Sequence, residues 1–472
     1  MKKRLVCLAL AVLTMGLFTA CSAEEAAVEE LGSITTANTI TLTGSGIEVS
    51  GTGMSVNGNV VTINALGSYT VSGKLGDGQI VVDIKDESAE PELILDNVNL
   101  TNLSGPAVHI KNGKDLKLKF KGENTLVSGT PVMEADDSNT GAVLYAEDDM
   151  SIKGEDTAVL NVYGYINNGI ACKNDLDVKA GNINIVAVNN GLRGSDSVEI
   201  KGGKLSVDAG NDGIKSTSAD KEGKGYISIE AGEIFVSSVG DAVSAETELN
   251  ISGGVLEIKT TGDINNVKSR GIAANKDISI SGGSINVNSQ DHALQSNGNI
   301  SISGGELNLS SALEKAVNVD GSLNISGGEL NLFGQEDAID SIGDVNISGG
   351  NVYIRSVHDG VQAGEANSGL GNINISGGTV LVDSYKLAFN PRGVLNITGG
   401  TVLSVSTEVK AVSGQGFVQK EWNGVKGDEL TVSKDGSFKS RLSSGYGFKS
   451  VLVGVAEGKV VLSDGKINVE MN

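Results

Sequence analysis

Four aspartates that recur in one local pattern are the residues of this chain best placed to do chemistry. Asp212 and Asp241 stand in NDGIKS and DAVSA, and Asp337 and Asp359 stand in EDAIDS and DGVQA, with Glu336 beside Asp337. If each pattern forms one rung of a stack, equivalent residues lie about 4.8 Å apart, the spacing of neighbouring strands. Two carboxylates at that distance repel by roughly 3.5 kcal/mol at an effective dielectric of about 20. Either a cation relieves the repulsion or the acids splay apart on a solvated turn. Ca2+ suits the first case, because it takes about six to eight oxygen ligands and accepts carboxylates, backbone carbonyls and water together. Asp212, Asp241, Glu336, Asp337 and Asp359 are its expected ligands. Lys215, close to Asp212 and Asp241, is a weak candidate for a base acting on a proton that such an ion acidifies. One lysine near two acids is equally an ordinary surface arrangement.

Each pattern continues in the same way. A small residue is followed by a branched aliphatic (or Phe389) expected to point inward, and then by a residue expected to face solvent. That outward column is Arg193, Lys215, Ser244, Ala273, Gln295, Asn318, Asp340, Gln362 and Asn390. Long polar side chains beside a column of Gly and Ala make a shallow groove in which a linear polymer could lie. Lys215, Gln295, Asn318, Asp340, Gln362 and Asn390 are its expected contacts, and the alternative is a plain solvated face.

Other chemistry finds little support. His109, His292 and His358 are scattered, without His/Cys zinc spacing, and read as surface or turn residues. Cys172, in the apolar context GIACKN, reads as a small core residue. No GxSxG elbow, phosphate loop or dinucleotide fingerprint is present, and the recurrent SGG follows strand-turn spacing. Tyr163 and Tyr165, expected in a loop, could add ring stacking.

The elements that position these residues repeat visibly. VEIKGGKLSV, ISIEAGEIFV, LNISGGVLEI, ISISGGSINV, ISISGGELNL, LNISGGELNL, VNISGGNVYI, INISGGTVLV and LNITGGTVL each read as strand, glycine turn and strand. Their second glycines, from Gly203 to Gly400, are spaced by 29, 22, 29, 22, 23, 22, 28 and 22 residues. Period-2 alternation, as in Leu323, Ile325, Leu330 and Leu332, makes each segment a half-buried strand that must stack on its neighbours. A period of 22 suits a coil of three short strands, so the expected fold is all-β, a right-handed parallel β-helix. Residues 76–406 form the helix, 32–75 a β cap, and 407–472 a small closing β module.

The bulk numbers agree. With 65 Gly, 4 Pro and 4% aromatics, the core must be aliphatic. A net charge of −22 and a pI near 4.6 exclude nucleic acid and anionic lipid as direct partners and make cations the natural counterpart. Lys2, Lys3 and Arg4 precede an apolar run to Phe18 and then Cys21 in LFTAC. Residues 1–20 therefore read as an export signal resembling a lipoprotein leader, with Cys21 lipidated and 21–31 an acidic spacer; simple secretion with cleavage near Ala20 or Ala23 is the alternative. The mature chain would be a monomer on the outer face of the cytoplasmic membrane, touching lipid only through its anchor.

DAIDS-like third strands, NISGG turns, GIACKNDLDV, NDGIKS, the leader and a SKDGSF…FKSVLV tail together resemble a family of carbohydrate-binding domain-containing proteins, over about Ile47 to Val461. The resemblance implies a secreted or anchored β-helix similar to pectate lyases, associated with calcium and with binding of cellulose and acidic sugars. The family often places two acids before the small residue of the third strand; here only Glu336 and Asp337 keep that pair. Arg270 and Lys315 occupy equivalent positions, so internal charge pairing could replace some ions. The resemblance and the absence of a compact acid/base constellation favour a polysaccharide-binding protein. A calcium-dependent lyase with Lys215 as base and a purely structural adhesin are the alternatives.

Overall fold

The computed structural model describes residues 37–472 except 87, 131–140, 366–369, 436, 456–459, 465–467 and 472. The leader, Cys21 and the acidic spacer lie outside the described residues. Among those residues there is no helix, and therefore none long and apolar enough to cross a membrane.

Each repeat becomes one coil of three strands, of which Val317–Val319, Leu323–Ile325 and Glu329–Gly334 are an example. The strands pair in parallel with their counterparts one coil away and in constant register: Val317 with Ile339, Leu323 with Val345, and Leu330 with Val352. The fold is a parallel β-helix. First and second strands merge into one 31-stranded sheet, and the third strands form a separate 15-stranded one.

Period-2 alternation explains the core. Leu323, Ile325, Leu330 and Leu332 are buried and stack on Val345, Ile347, Val352 and Ile354, while Asn324 and Glu329 between them point out. The result is a continuous aliphatic ladder along the axis. The turn between first and second strands requires glycine at one position. The second glycine of every repeat from Gly181 to Gly400 has positive φ, as at Gly328 (φ +93), whereas the first position accepts alanine at Ala180 and Ala231.

At the amino end, Asn38–Gly44 pairs antiparallel with Ile47–Ser50 and parallel with Ser68–Leu75, so a hairpin leads directly into the stack. At the other end, Phe448–Val455 lies antiparallel on Thr401–Ser406, occupying the edge of the last coil. A four-stranded antiparallel sheet follows from Glu429 onward, and its Leu430, Val432 and Leu442 share an apolar cluster with Phe448 and with Leu403 and Val405 of the last coil. A hydrogen bond ties this module to the helix: Gly445 N–H donates at 2.7 Å to Asp383 Oδ2, which the neighbouring coil holds through Arg355 Nε at 3.0 Å.

Candidate functional site

The outward column of the third-strand sheet forms as an unbroken series. Arg193, Lys215, Ser244, Ala273, Gln295, Asn318, Asp340, Gln362 and Asn390 are direct neighbours in parallel register. Two members depart from the expectation of solvent exposure. Ala273 is buried, and Asn390 is only 7% exposed, because the tail brings Lys410 Nζ to 2.8 Å from its Oδ1.

The expected metal ligands stand one column earlier, and they are not splayed on solvated turns. Asp212, Asp241 and Asp359 are buried. Each of them, like Asp337, accepts the backbone N–H that opens the corresponding rung one coil on. Asp212 Oδ1 accepts from Asp241 N at 2.8 Å, Asp241 Oδ1 from Arg270 N at 2.9 Å, Asp337 Oδ1 from Asp359 N at 2.9 Å and Asp359 Oδ1 from Leu387 N at 3.1 Å. Asn168 and Asn190 do the same at 3.2 Å each. Short side chains of this type satisfy backbone donors where the strand ladder begins, which is why the column is rich in Asp and Asn.

The second oxygens of Asp212, Asp241 and Asp359 are also engaged. Lys215 Nζ lies 2.5 Å from Asp212 Oδ2, Arg270 Nη2 lies 2.5 Å from Asp241 Oδ2, and Asn390 Nδ2 donates to Asp359 Oδ2 at 2.6 Å. Lys215, the candidate base, is thus held in an ion pair. Glu336 adds its negative field to Glu314, whose carboxyl burial already pushes above the usual range. Burial likewise pushes Asp337 up to about 6, assisted by the fields of Asp359 and Asp340. Among the described residues no three His, Cys, Asp or Glu side chains converge to hold a metal ion. The expected set does not fit a resident Ca2+.

Farther along the same face the column opens into a groove of about 580 Å³. Asn318, Asp340 and Gln362, three of the expected ligand contacts, line it together with Lys315, Asp320, Ile342, Gly364, Glu365 and Arg392. Lys315 Nζ sits 2.9 Å from Asp340 Oδ2, and Gln362 Nε2 donates to Asp340 Oδ1 at 3.1 Å. Burial works against the charge on Lys315, but its bond to Asp340 and the surrounding carboxylates outweigh it and hold the ammonium above the usual lysine range. Arg392 is exposed and, among the described residues, forms no ion pair. It follows the third strand in FNPRG, one residue beyond the pattern used to define the column, so the pattern passed over it.

The remaining expected contacts lie outside this groove. Gln295 Oε1 accepts from Arg270 Nη1 at 3.0 Å, and Lys215 belongs to Asp212. Two histidines are more enclosed than expected. His292 is neutral, its pKa lowered to about 4 by burial, with Nδ1 accepting the Lys315 N–H at 3.3 Å. His109 is half-buried within the strand Val108–Asn112, against Tyr145. Tyr163 belongs to the strand Val159–Gly164 rather than to a loop, and it stacks on Tyr165 at 6.1 Å, away from the third-strand column. Cys172 is buried as expected, and burial pushes its thiol up.

A relative from Acetivibrio thermocellus, described as a carbohydrate-binding domain-containing protein, is 37% identical over 131 residues, 27% of this chain and 45% of its own length. The chain therefore spans less than half of that relative. A solved structure, described as that of the polysaccharide lyase-like protein from C. thermocellum, is 34% identical, covers 49% of this chain and 94% of its own, and superposes with a TM-score of 0.45. The family model described as carbohydrate-binding domain-containing protein matches residues 57–315 and 305–472. With nearly all of its coil stack and its closing module matched, the chain belongs to the carbohydrate-binding domain-containing protein family.

Proposed function

We propose that the third-strand face between Lys315 and Arg392 binds a linear acidic polysaccharide such as polygalacturonate, without cleaving it, and that the protein displays this face outside the cell on a lipid anchor at Cys21. The observation that carries the reading is the groove itself, where Asn318 and Gln362 border an exposed guanidinium. Arginine matches a carboxylate with two parallel donors, and the amides suit sugar hydroxyls. The family supports carbohydrate as the ligand class.

The chain's charge of −22 opposes a polyanion. Calcium enters this reading as a counter-ion carried between glycan carboxylates and groove acids such as Asp320 and Asp340, so retention should weaken in chelator. A neutral glycan, cellulose included, would show no such dependence. Lys215, bound to Asp212, favours binding over lyase chemistry.

Simultaneous Asn318→Ala, Gln362→Ala and Arg392→Ala should weaken retention on polygalacturonate by about tenfold or more, since one charge-assisted contact alone contributes on the order of 1.5–3 kcal/mol. Melting should hardly change. Gln295 is left intact because it supports Arg270. Equal retention by parent and triple variant would move the site elsewhere. Unsaturated product appearing in ultraviolet absorbance with parent protein would favour the lyase.

A further inference from the structure

Where the third-strand sheet ends, an amine, an amide and a carboxyl group meet. Asn390 stands in its final strand, Phe389–Pro391, is 7% exposed, and donates from Nδ2 to Asp359 Oδ2 at 2.6 Å. Asp359 is buried, and its Oδ1 is fixed by the Leu387 N–H. On the other side of the amide, Lys410 Nζ lies 2.8 Å from Asn390 Oδ1. The lysine arrives from the exposed segment that leads into the closing module, and Gln419 holds its backbone there. Gln419 Nε2 donates to Lys410 O at 2.8 Å and to Ser450 Oγ at 3.1 Å.

A carbonyl carbon lies about 1.2 Å from its oxygen, so Nζ is within about 4 Å of Asn390 Cγ, close to the distance from which an amine attacks. We propose that Lys410 and Asn390 condense into an intramolecular isopeptide bond, with Asp359 as the proton shuttle. The Lys410 ammonium first gives one proton to solvent, and the free amine then attacks Cγ. Asp359 takes a second proton from the attacking nitrogen and passes it to Nδ2, which it already contacts. The Cγ–Nδ2 bond breaks, ammonia leaves and takes up a proton from solvent, and Asp359 ends as a carboxylate. A competing route is closed by the sequence. An asparagine can also lose ammonia to attack by the next backbone nitrogen, but that residue is Pro391, which has no N–H. The bond ties the segment entering the closing module to the last rung of the stack across 20 positions, and it is independent of the glycan reading.

The test is the intact mass of the purified mature chain after incubation at about pH 9, where more of the amine is neutral. The parent should be lighter than its sequence by about 17 Da, one ammonia, and a tryptic digest should release the Asn390 and Lys410 peptides as a single linked species. Lys410→Arg keeps a cation on the amide oxygen but cannot condense in this way, so its two peptides should separate, and it should melt several degrees below the linked parent. Asp359→Asn can still accept the Leu387 N–H, as the asparagines of the same column do for theirs, but it should link at least about tenfold more slowly. Folded parent that keeps its full mass and releases the two peptides separately overturns the proposal. So does an ammonia loss that maps only to another asparagine, or an Asp359→Asn variant that links as fast as the parent.

Discussion

Replacing Ile325 or Ile347 with aspartate should destabilise the coil stack by about 4 kcal/mol or more, seen as a large drop in melting temperature or a failure to accumulate folded protein. Both side chains are almost completely buried and face each other in register in the first-strand ladder. Burial of a full aliphatic side chain contributes about 1.5–3 kcal/mol, which the substitution loses. The new carboxyl would then sit among Leu323, Leu330 and Val345 with no partner, forced either to stay ionised in an apolar medium or to take up a proton. Asn324→Asp, one residue away on the outer face, should change stability far less. Equal effects of Ile325→Asp and Asn324→Asp would contradict the alternation on which the fold rests.

Asp337→Asn should have the opposite sign, stabilising the calcium-free protein at neutral pH by up to about 3 kcal/mol. Burial lifts the Asp337 carboxyl from the ordinary 3.8 to about 6. Between those values the folded state holds more protons than the unfolded one. Stability therefore declines as pH rises from about 4 to 6, and the full cost persists above that. Asparagine removes the charge and can still accept the Asp359 N–H, as Asn168 and Asn190 already do for the next rungs of the same column. Chemical denaturation across pH 4 to 7 should show a flatter profile for Asp337→Asn. A resident calcium on Asp337 would reverse the sign, making the asparagine variant the less stable in calcium.

The coil stack was legible in the sequence because its determinants are local: alternation within a strand, a glycine where φ must be positive, and a spacing of 22 or 23 residues that insertions lengthen to 28 or 29. The outward column followed from the same alternation, and Asn318, Asp340 and Gln362 do border a common groove. What escaped depends on groups from different coils. The burial of Asn390 is decided by Lys410, which approaches from the closing module after the repeat has ended. The aspartates read as calcium ligands or as acids splayed on a solvated turn, because the backbone N–H groups they accept belong to residues 22 to 29 positions away. Arg270 and Lys315 stood out by type, but which carboxylate each would choose was not legible: Arg270 reaches back to Asp241, and Lys315 reaches forward to Asp340. Arg392 was missed because it lies just beyond the motif.

The glycan assignment is tested most directly by arginine labelling. Parent protein would be treated with phenylglyoxal, with and without a saturating galacturonate oligomer and calcium, and modification at each arginine followed by mass spectrometry. Arg392 should react several-fold more slowly with the oligomer present, because its guanidinium holds a uronate carboxylate. Arg441, 61% exposed in the closing module, should react at an unchanged rate. Oligomer bound to the protein with Arg392 reacting as fast as in its absence would contradict a glycan site on the third-strand face.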